Sequence, residues 1–508
     1  MFPRNYFVCK TPGATVYRDR IRHPAFINKV RTAEEVASLF KNGMTVGMSG
    51  FTRAGDAKAL PGALAQRAKR EALALTLITG ASLGNGSDGL MADAGLLARR
   101  LPFQADATLR RKINDGKVMF IDQHLSETVV QLRSGSLAPV DIAVIEATAI
   151  TEDGGIVPTM AVGNSASFVQ QARTVIIELN LSAPRALEGL HDIYLATGLP
   201  IPLIRPEQRI GSSAIAVDPE RVAAIVITDS PDSPSNVLPP DEETAAIAGH
   251  IIAFLSGEVS AGRMGRALRP IQAGIGTIAN AVLQGLIGSP FNGLTMYSEV
   301  LQDSAIALLD SGQLTFASAS SITLSPAMHE HFISNLQDYR SRILLRPQEI
   351  SNHPEIVRRL GLIAINTALE FDLYGNVNST HVGGTHMMNG IGGSGDFARH
   401  SHLSVFVSKS TAKQGAISSV VPMVTYVDHT EHDVDILVTE WGLADLRGLA
   451  PWERAPLIIE RCADPDYRAP LRAYFEQAVQ RGGHTPHLLE QAFSWHSRYL
   501  STQTMRAP

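Results

Sequence analysis

The chain has 508 residues, of which 44% are hydrophobic and 18% are charged, an ordinary globular composition with room for two or three domains. Its 44 basic and 49 acidic side chains give a formal charge of −5, so it lacks the basic surplus of a nucleic-acid-binding protein. No apolar run approaches the roughly 20 residues that span a bilayer. We therefore expect neither nucleic acid nor a membrane as a partner.

The two cysteines, Cys9 and Cys462, cannot build a disulfide framework or a cysteine-based zinc site, which favours a reducing compartment. The first ten residues lack the apolar segment of a secretory signal. Residues 1–32 are rich in Arg and Lys, as transit peptides are, but nothing in them resembles a basic amphipathic helix. We predict a cytoplasmic protein.

The first half of the chain alternates short β-branched runs with longer amphipathic segments. Residues 57–73 are typical of a helix between two such runs. Because strands alternate with helices, the pattern indicates a largely parallel sheet in an α/β domain. The runs that predict buried strands are 44–52, 75–82, 118–122, 141–150 and 174–180.

A stretch rich in Pro, Ser and Asp, residues 229–243, has no apolar period and is the best linker candidate. It divides the chain into an N-terminal domain, residues 1–228, and a C-terminal domain, residues 244–508. The second domain has its own strand-like runs, at 293–300, 341–347, 402–408, 417–427 and 435–440.

The two halves repeat one pattern. Residues 144–159 and 368–380 both carry apolar residues with a glutamate, a tight turn at glycine, and then valine. A glycine-rich patch, a phenylalanine and a β-branched run follow in each case, at 161–179 and 391–407. The shared order predicts a duplicated α/β domain, and duplicated folds commonly place their site in the cleft between the halves.

Two glycine clusters allow more than one interpretation. GIGGSG (390–395) matches a dinucleotide-binding pattern, but the strand-like run at 402–408 leaves no room for the helix that this motif opens. The cluster is then either a structural turn or a place where backbone N–H groups approach an oxyanion. GIGTIAN (274–280) has the same two interpretations and is followed by a predicted helix, whose N-terminus suits negative charge.

Glu299 stands at the end of an apparent buried strand, where an unpaired charge is costly. Three interpretations are open. Glu299 is a paired structural carboxylate, a residue in the first turn of the next helix, or a functional carboxylate at the carboxyl end of a parallel strand. The last position is where α/β proteins keep their chemistry, and carboxylates serve as covalent nucleophiles.

The histidines invite a metal site, since His381 and His386, and likewise His429 and His432, are closely spaced. There is no HExxH motif and no cysteine among them, so structural roles are favoured and we predict no metal. The sequence also lacks a P-loop motif and the G-x-S-x-G motif of serine hydrolases.

Seven blocks of the sequence belong together: SGFTRAG (49–55), IEATAITEDGGIVPT (145–159), QAGIGTIANAV (272–282), YSEVLQD (297–303), ISNHPEIVRRLG (350–361), MNGIGGSGDF (388–397) and TEWGLADLRGL (439–449). They closely resemble the acetyl-CoA hydrolase/transferase family, whose members are class I CoA-transferases. The resemblance extends from about residue 30 to residues 484–496. It implies two similar open α/β domains with the active site between them.

The resemblance also implies an activity. A CoA-transferase of this kind moves CoA between succinyl-, acetyl- or propionyl-CoA and acetate, succinate or propionate, as a homodimer with no cofactor beyond CoA. The alternatives are an acyl-CoA hydrolase that uses the same glutamate and a non-catalytic CoA-binding protein.

By resemblance, Glu299 matches the family's nucleophile, which forms an acyl-glutamyl anhydride and then a glutamyl-CoA thioester. Asn352 matches an asparagine that contacts the reacting carboxylate, and Glu440 a second carboxylate near the site. The backbone N–H groups of Ile275 and Gly393, one from each glycine cluster, match the oxyanion donors. The CoA-binding residues implied are Ile271, Gln272, Ala273, Gly274, Ile275, Leu369, Asn389, Gly393 and Lys413.

Two departures from the family pattern concern the substrate. Succinate-using relatives often have an arginine in the linker, whereas residues 229–236 contain no basic residue. Trp441 stands where glutamine is usual. The blocks 345–352 and 428–436 resemble the propionyl-CoA:succinate type more closely. Subfamily resemblance therefore does not fix the acyl group.

Overall fold

The structure, a computed structural model, describes residues 17–235 and 238–507. Cys9 and the first part of the segment considered as a transit peptide lie outside the described residues, as do residues 236–237 of the predicted linker. Within the described ranges, no helix is both long and apolar enough to cross a membrane. Cys462 is buried and forms no disulfide there.

The first half forms a parallel sheet of seven strands within the described residues. Every neighbouring pair in it runs parallel. The central strands are apolar and buried on both faces, as a parallel sheet covered by helices requires. In spatial order the strands are Met119–Phe120, Leu97–Leu101, Leu75–Ile78, Thr45–Met48, Ile142–Ala147, Thr174–Asn180 and Val222–Thr228.

Helices connect these strands, and two of the helices have N-termini capped by side chains. Thr32 and Glu35 form a capping box, and the Asp106 carboxylate accepts hydrogen bonds from two backbone N–H groups at the start of its helix. A small hairpin, Ala149–Ile150 with Ile156–Val157, follows the fifth strand, Ile142–Ala147. The helices are Pro24–Ile27, Ala33–Ala37, Leu60–Ala68, Ser87–Asp93, Ala107–Asn114, Glu127–Ser134 and Ser165–Gln171, with 3-10 turns at Arg185–Leu187 and Pro219–Arg221.

The second half repeats this order, with one strand added at the edge. Its eight described strands are parallel except for the antiparallel edge strand. In both sheets the first strand is central, the second to fourth lie on one side, and the later strands on the other. The strands are Ile343–Leu345, Leu314–Ala319, Leu294–Tyr297, Ile271–Ala273, Ile363–Thr367, Leu403–Val407, Ile436–Thr439 and Gly442–Asp445. The predicted duplicated α/β architecture is confirmed.

The repeat extends to details. After the fifth strand of the second sheet comes a hairpin, Glu370–Asp372 with Val377–Asn378, the counterpart of the hairpin in the first half. The described helices of this half are Glu242–Ser260, Thr277–Gly285, Asp303–Asp310, Pro326–Ser334, Leu336–Tyr339, Gln348–Ser351, Pro354–Leu360, Ser394–Ala398, Pro451–Cys462, Pro465–Arg481 and Ser494–Thr502, with a 3-10 turn at Glu431–Asp433. The other short strands are Val300–Leu301, Ser321–Ile322, His381–Val382, His386–Met387, Thr411–Ala412, Ile417–Ser418 and Val420–Val421.

Two sequence predictions differ from the structure. Residues 417–427 were expected to form a buried strand, but only two-residue strands form there, outside the main sheet, and the second ends directly before Pro422, which has no N–H to donate. The expectation that no helix fits after GIGGSG is also wrong, because a five-residue helix, Ser394–Ala398, begins within the cluster.

The two halves share buried polar contacts as well as a continuous apolar core. Arg346 and Asp192, both fully buried, form an ion pair with 3.0 Å between Nε and Oδ2. The backbone N–H of Val162 donates to the carbonyl of Ser320, at 2.9 Å. These contacts hold the carboxyl edges of the two sheets against each other.

Candidate active site

A cleft opens between the two halves, at the carboxyl ends of their strands. In open α/β sheets this is the edge where ligands bind. The first half contributes Phe51, Thr52, Ala81, Phe103 and Leu125, and the second half contributes Gly274, Ile275, Glu299, Asn366, Thr367, Ser379 and residues 389–394.

Glu299 follows the buried strand Leu294–Tyr297 and lines the cleft. Its backbone is fixed, because its carbonyl accepts hydrogen bonds from the N–H groups of Ser320 at 2.8 Å and Ser321 at 3.0 Å. Burial raises the pKa of its carboxyl to about 7, opposed by a hydrogen bond from Asn352 and assisted by the charge of Asp396. A carboxylate with little water around it is a stronger nucleophile than a solvated one.

Asn352 is the closest partner of this carboxylate. Its Nδ2 donates to Oε1 of Glu299 at 2.5 Å. The asparagine is fully buried and ends the helix Gln348–Ser351. That helix is held by the first half, since the Gln348 N–H donates to the Gly163 carbonyl at 2.9 Å and its side chain to the Leu125 carbonyl at 3.0 Å. The amide therefore reaches Glu299 from a position set by both halves.

Gly393 forms the wall beside the carboxylate. It precedes the helix Ser394–Ala398 as its N-cap, and a Cβ at this position would lie 1.6 Å from Oε1 of Glu299. Only glycine lets the backbone approach so closely. From the other cluster, Gly274 and Ile275 also line the cleft, just before the predicted helix, which begins at Thr277.

A segment of the first half, residues 122–126, lies along the loop 390–396 and was not singled out from the sequence. Asp122 Oδ1 accepts a hydrogen bond from the Ile391 N–H at 2.8 Å. The Leu125 N–H donates to the Gly392 carbonyl at 3.3 Å. Burial raises the pKa of Asp122 to about 6. The sequence did contain a signal for this residue, because Asp122 ends the predicted strand 118–122. The carboxyl ends of strands are where α/β proteins place functional side chains.

Asp396 is the second group that sequence reasoning missed, although it lies within the quoted block 388–397. Its Oδ2 accepts a hydrogen bond from Asn352 Nδ2 at 3.1 Å. Ser126 donates to it twice, from the backbone N–H at 3.1 Å and from Oγ at 2.6 Å. Burial raises the pKa of Asp396 to about 6.

The structure brings some of the implied site residues together and not others. Gly274, Ile275, Glu299, Asn389 and Gly393 line the cleft, and Asn352 contacts it through Glu299. Their roles stay predictions.

The other implied residues do not line the cleft as the described residues form it. Ile271, Gln272 and Ala273 form a buried strand, in which the Gln272 amide pairs with that of Asn366, at 3.2 Å in both directions. Leu369 lies beside the hairpin that follows the fifth strand, where its N–H donates to the Asn378 carbonyl at 2.9 Å.

Lys413 and Glu440 have protein partners elsewhere. Lys413 Nζ donates to the Tyr499 hydroxyl at 2.5 Å. The Glu440 carboxylate accepts hydrogen bonds from the N–H of Ser410, at 2.8 Å, and from its hydroxyl. Trp441, which is 47% exposed, donates from Nε1 to the same hydroxyl at 3.0 Å.

The four histidines have protein partners or lie apart. His381 and His386 belong to a two-stranded hairpin, and the His381 ring packs against Tyr426 in a tilted arrangement with 3.9 Å between ring centroids. His429 lies 3.0 Å from the Ser394 hydroxyl, and burial lowers its pKa to about 3. His432 lies in the 3-10 turn Glu431–Asp433. No group of three or more His, Cys, Asp or Glu in the described part of the chain is placed to hold a metal ion.

Comparison with protein families gives two matches, which together cover more than half of the chain. Residues 16–227 match the acetyl-CoA hydrolase/transferase N-terminal domain. Residues 329–475 match the acetyl-CoA hydrolase/transferase C-terminal domain.

Curated relatives are similar over nearly the whole chain. The succinyl-CoA:acetate CoA-transferase of Clostridium kluyveri is 48% identical, across 97% of this chain and 93% of the relative. The propanoyl-CoA:succinate CoA transferase of Escherichia coli is 44% identical, across 93% and 98%. The acetyl-CoA hydrolase of Schizosaccharomyces pombe is 46% identical, across 96% and 98%. Transferases and hydrolases thus occur at similar identity.

Solved structures share the fold. RipA from Yersinia pestis aligns with a TM-score of 0.70 at 23% identity, across 89% of this chain and 98% of that chain. The 4-hydroxybutyrate CoA-transferase from Porphyromonas gingivalis aligns with a TM-score of 0.62 at 22% identity, across 92% and 99%.

Proposed function

The chain belongs to the acetyl-CoA hydrolase/transferase family, and from this premise we propose that it is a CoA-transferase that moves CoA from a short-chain acyl-CoA to a small carboxylate. Succinyl-, acetyl- or propionyl-CoA is the donor, and acetate, succinate or propionate is the acceptor. The names of the two transferase relatives support these substrate classes.

The observation that carries the proposal is the setting of Glu299. Its carboxylate lines a cleft between the two halves, has an amide donor at 2.5 Å, and lies against a glycine backbone. A buried carboxylate with a structural role is paired with a cation, as Asp192 is with Arg346, or accepts several backbone N–H groups, as Asp372 does. Among the described residues, Glu299 has no cation partner, and it is open to a ligand, as a covalent nucleophile must be.

The proposed reaction has four steps. A carboxylate oxygen of Glu299 attacks the thioester carbonyl, which forms an acyl-glutamyl anhydride and releases CoA thiolate. The thiolate attacks the glutamyl carbonyl, which forms a glutamyl-CoA thioester and releases the donor's carboxylate. The acceptor carboxylate attacks this thioester and regenerates an anhydride and thiolate. Attack of the thiolate on the acyl carbonyl then gives the new acyl-CoA and free Glu299.

Each addition creates a tetrahedral oxyanion. We assign its stabilisation to the backbone N–H groups of Ile275 and Gly393, two residues that line the cleft together with Glu299. Removing one such donor typically slows a reaction 10²–10³-fold. The steps use a carboxylate, a thioester and a thiolate, so the proposal needs no metal or organic cofactor besides CoA.

Transfer competes with hydrolysis, because water can also attack the glutamyl thioester. The apolar side chains of Phe51, Phe103 and Leu125, which line the cleft from the first half, support transfer, since they exclude water from the intermediate. The acetyl-CoA hydrolases among the relatives make hydrolysis the second candidate.

The test is the intact mass of the protein after brief mixing with succinyl-CoA, with no carboxylate acceptor present and with free CoA followed in parallel. A transferase gives a stoichiometric CoA adduct, mapped to the Glu299 peptide and discharged by acetate or propionate. Glu299→Gln, which keeps the shape and removes the nucleophile, is the matched control and gives no adduct. Steady CoA release without acceptor identifies a hydrolase, and binding without either product identifies a CoA-binding protein.

A further inference from the structure

We propose that Asp396, held by Ser126 of the first half, is a positioning residue that fixes the orientation of the Asn352 amide toward Glu299. The inference rests on the proposed function, in which Glu299 is the nucleophile. It concerns the polar chain Ser126–Asp396–Asn352–Glu299, which crosses from one half of the molecule to the other.

The amide nitrogen of Asn352 donates two hydrogen bonds. Nδ2 donates to Glu299 at 2.5 Å and to Asp396 at 3.1 Å, which accounts for both of its hydrogens. Its oxygen is buried and has no hydrogen-bond partner among the described residues. An unpartnered buried carbonyl is costly, so a strong constraint keeps the amide in this orientation.

Asp396 supplies that constraint. An ionised carboxylate only accepts hydrogen bonds, so a rotated amide would place its oxygen against two carboxylates at once. Glu299 alone would not fix the amide, because burial raises its pKa to about 7, and its protonated form can donate a hydrogen bond to the amide oxygen. With Asp396 present, the amide keeps its nitrogen toward the nucleophile through the catalytic cycle.

Ser126 links this arrangement to the first half. Its backbone N–H and its hydroxyl both donate to Asp396, at 3.1 Å and 2.6 Å, so the carboxylate is held in this orientation only when the two halves are docked. The two hydrogen bonds favour its ionised form, which burial opposes. Beside it, Gly395 lies so close to His124 that a Cβ would approach the ring to 2.2 Å. The close packing keeps Ser126 in register with Asp396.

The measurement is the rate of CoA-adduct formation after rapid mixing with succinyl-CoA in the absence of acceptor. Asp396→Asn replaces one carboxylate oxygen by an N–H₂ group and removes the charge, so the Asn352 amide no longer faces a group that only accepts and is no longer held in one orientation. We expect adduct formation to slow about 100-fold, the scale of a 1 Å misplacement, while the half-saturating succinyl-CoA concentration changes less than about threefold.

A double-mutant cycle separates positioning from a structural role. If Asp396 acts through Asn352, Asp396→Asn slows an Asn352→Ala enzyme by less than about twofold. The same loss in both backgrounds would overturn the proposal. Asp372→Asn is the matched control, because it removes another buried carboxylate, whose Oδ1 accepts hydrogen bonds from the backbone N–H groups of residues 374–376 outside the cleft, and should keep the wild-type rate.

Ser126 provides a second test that changes no charge. Ser126→Ala removes the 2.6 Å hydroxyl donor and should slow adduct formation about tenfold, whereas Ser126→Thr keeps the hydroxyl and restores the rate. A wild-type enzyme that forms no adduct at Glu299 would overturn both this proposal and the proposed function. A wild-type adduct with unchanged rates in Asp396→Asn and Ser126→Ala would overturn this one alone.

Discussion

A Cβ on residue 393 would lie 1.6 Å from Oε1 of Glu299, far inside the contact distance of the two atoms. The backbone of Gly393 is therefore the surface on which the carboxylate rests. In the sequence, the glutamate at a strand end and the glycine cluster were the two features that pointed to chemistry. This contact brings them together. It also makes the site sensitive to the addition of a single methyl group.

Gly393→Ala should lower CoA transfer at least about 100-fold without unfolding the protein. The new methyl must displace Glu299 or Asn352, whose Nδ2 would lie 2.4 Å from it, and misplacement on this scale is enough for such a loss. The control is Gly257→Ala, in the helix Glu242–Ser260, where a Cβ meets no atom within 4 Å. It should keep full activity and stabilise the helix by about 0.5–1 kcal/mol. Transfer from succinyl-CoA to acetate and a thermal melt measure both effects, and an active Gly393→Ala enzyme would contradict the site.

Glu299→Asp should be nearly as inactive as Glu299→Gln. The aspartate carboxylate is one methylene shorter, which withdraws it from the reacting carbonyl by about 1 Å, and near-attack geometry does not tolerate that gap. The assay is steady-state exchange between succinyl-CoA and acetate, with unfolding curves as the check on folding. Glu299→Asp activity within about tenfold of wild type would show that the carboxylate is not the attacking group.

Activity should depend on the protonation of Glu299. Burial raises its pKa to about 7, so the carboxyl is protonated and inactive below that pH, and kcat/KM should rise with pH and level off above it. The hydrogen bond from Asn352 lowers this pKa. Asn352→Ala should therefore move the rising limb to higher pH, besides lowering the plateau. A profile that is flat between pH 5.5 and 8.5, or that moves to lower pH in Asn352→Ala, would count against this assignment.

Strands could be predicted from the sequence where consecutive residues are apolar, because such a run forms a strand that is buried on both faces of the sheet. Residues 174–180 were predicted and are found as the strand Thr174–Asn180. The strand Leu97–Leu101 was missed, because it contains arginines that look solvent-exposed. Arg100 is in fact fully buried and pairs with Asp88, with 2.8 Å between Nε and Oδ1. A buried ion pair of this kind is a tertiary feature, which periodicity cannot express.

The candidate site could likewise be predicted only where the local sequence carries a signal. Glu299 was identified because a charge ending an apolar run is unusual, and the glycine clusters because glycine admits close backbone approach. The contact between Asp396 and Ser126 joins residues 270 apart in the chain and leaves no local signature. Resemblance assigned residues 271–273 to CoA as a block, whereas only Gly274 and Ile275, beyond the end of that strand, reach the cleft.

Lys58 is the centre of a buried charge cluster in the first half, apart from the cleft. Its Nζ lies 3.2 Å from Asp56, 3.1 Å from Glu146 and 2.7 Å from Asp232, and its side chain is only 3% exposed. One ammonium thus faces three carboxylates. Burial raises the pKa of Glu146 to about 8 and that of Asp56 to about 6. Since Asp232 lies in the predicted linker, the cluster ties the start of that linker to the first sheet.

Lys58→Met should destabilise the protein, and more so at high pH. Removing one partner of a buried ion pair typically costs about 3–5 kcal/mol, because the remaining charges lose their compensation. A buried carboxyl with a raised pKa favours the folded state when protonated and opposes it as the pH rises through that value. Without the ammonium the pKa values of Glu146 and Asp56 rise further. The loss in free energy of unfolding should therefore be larger at pH 8 than at pH 5.5. Urea unfolding at the two pH values measures it, with Lys117→Met, a 65% exposed side chain, as the control expected to stay within about 0.5 kcal/mol. An equal loss in free energy of unfolding at both pH values would mean that Lys58 does not influence the pKa values of these carboxyl groups.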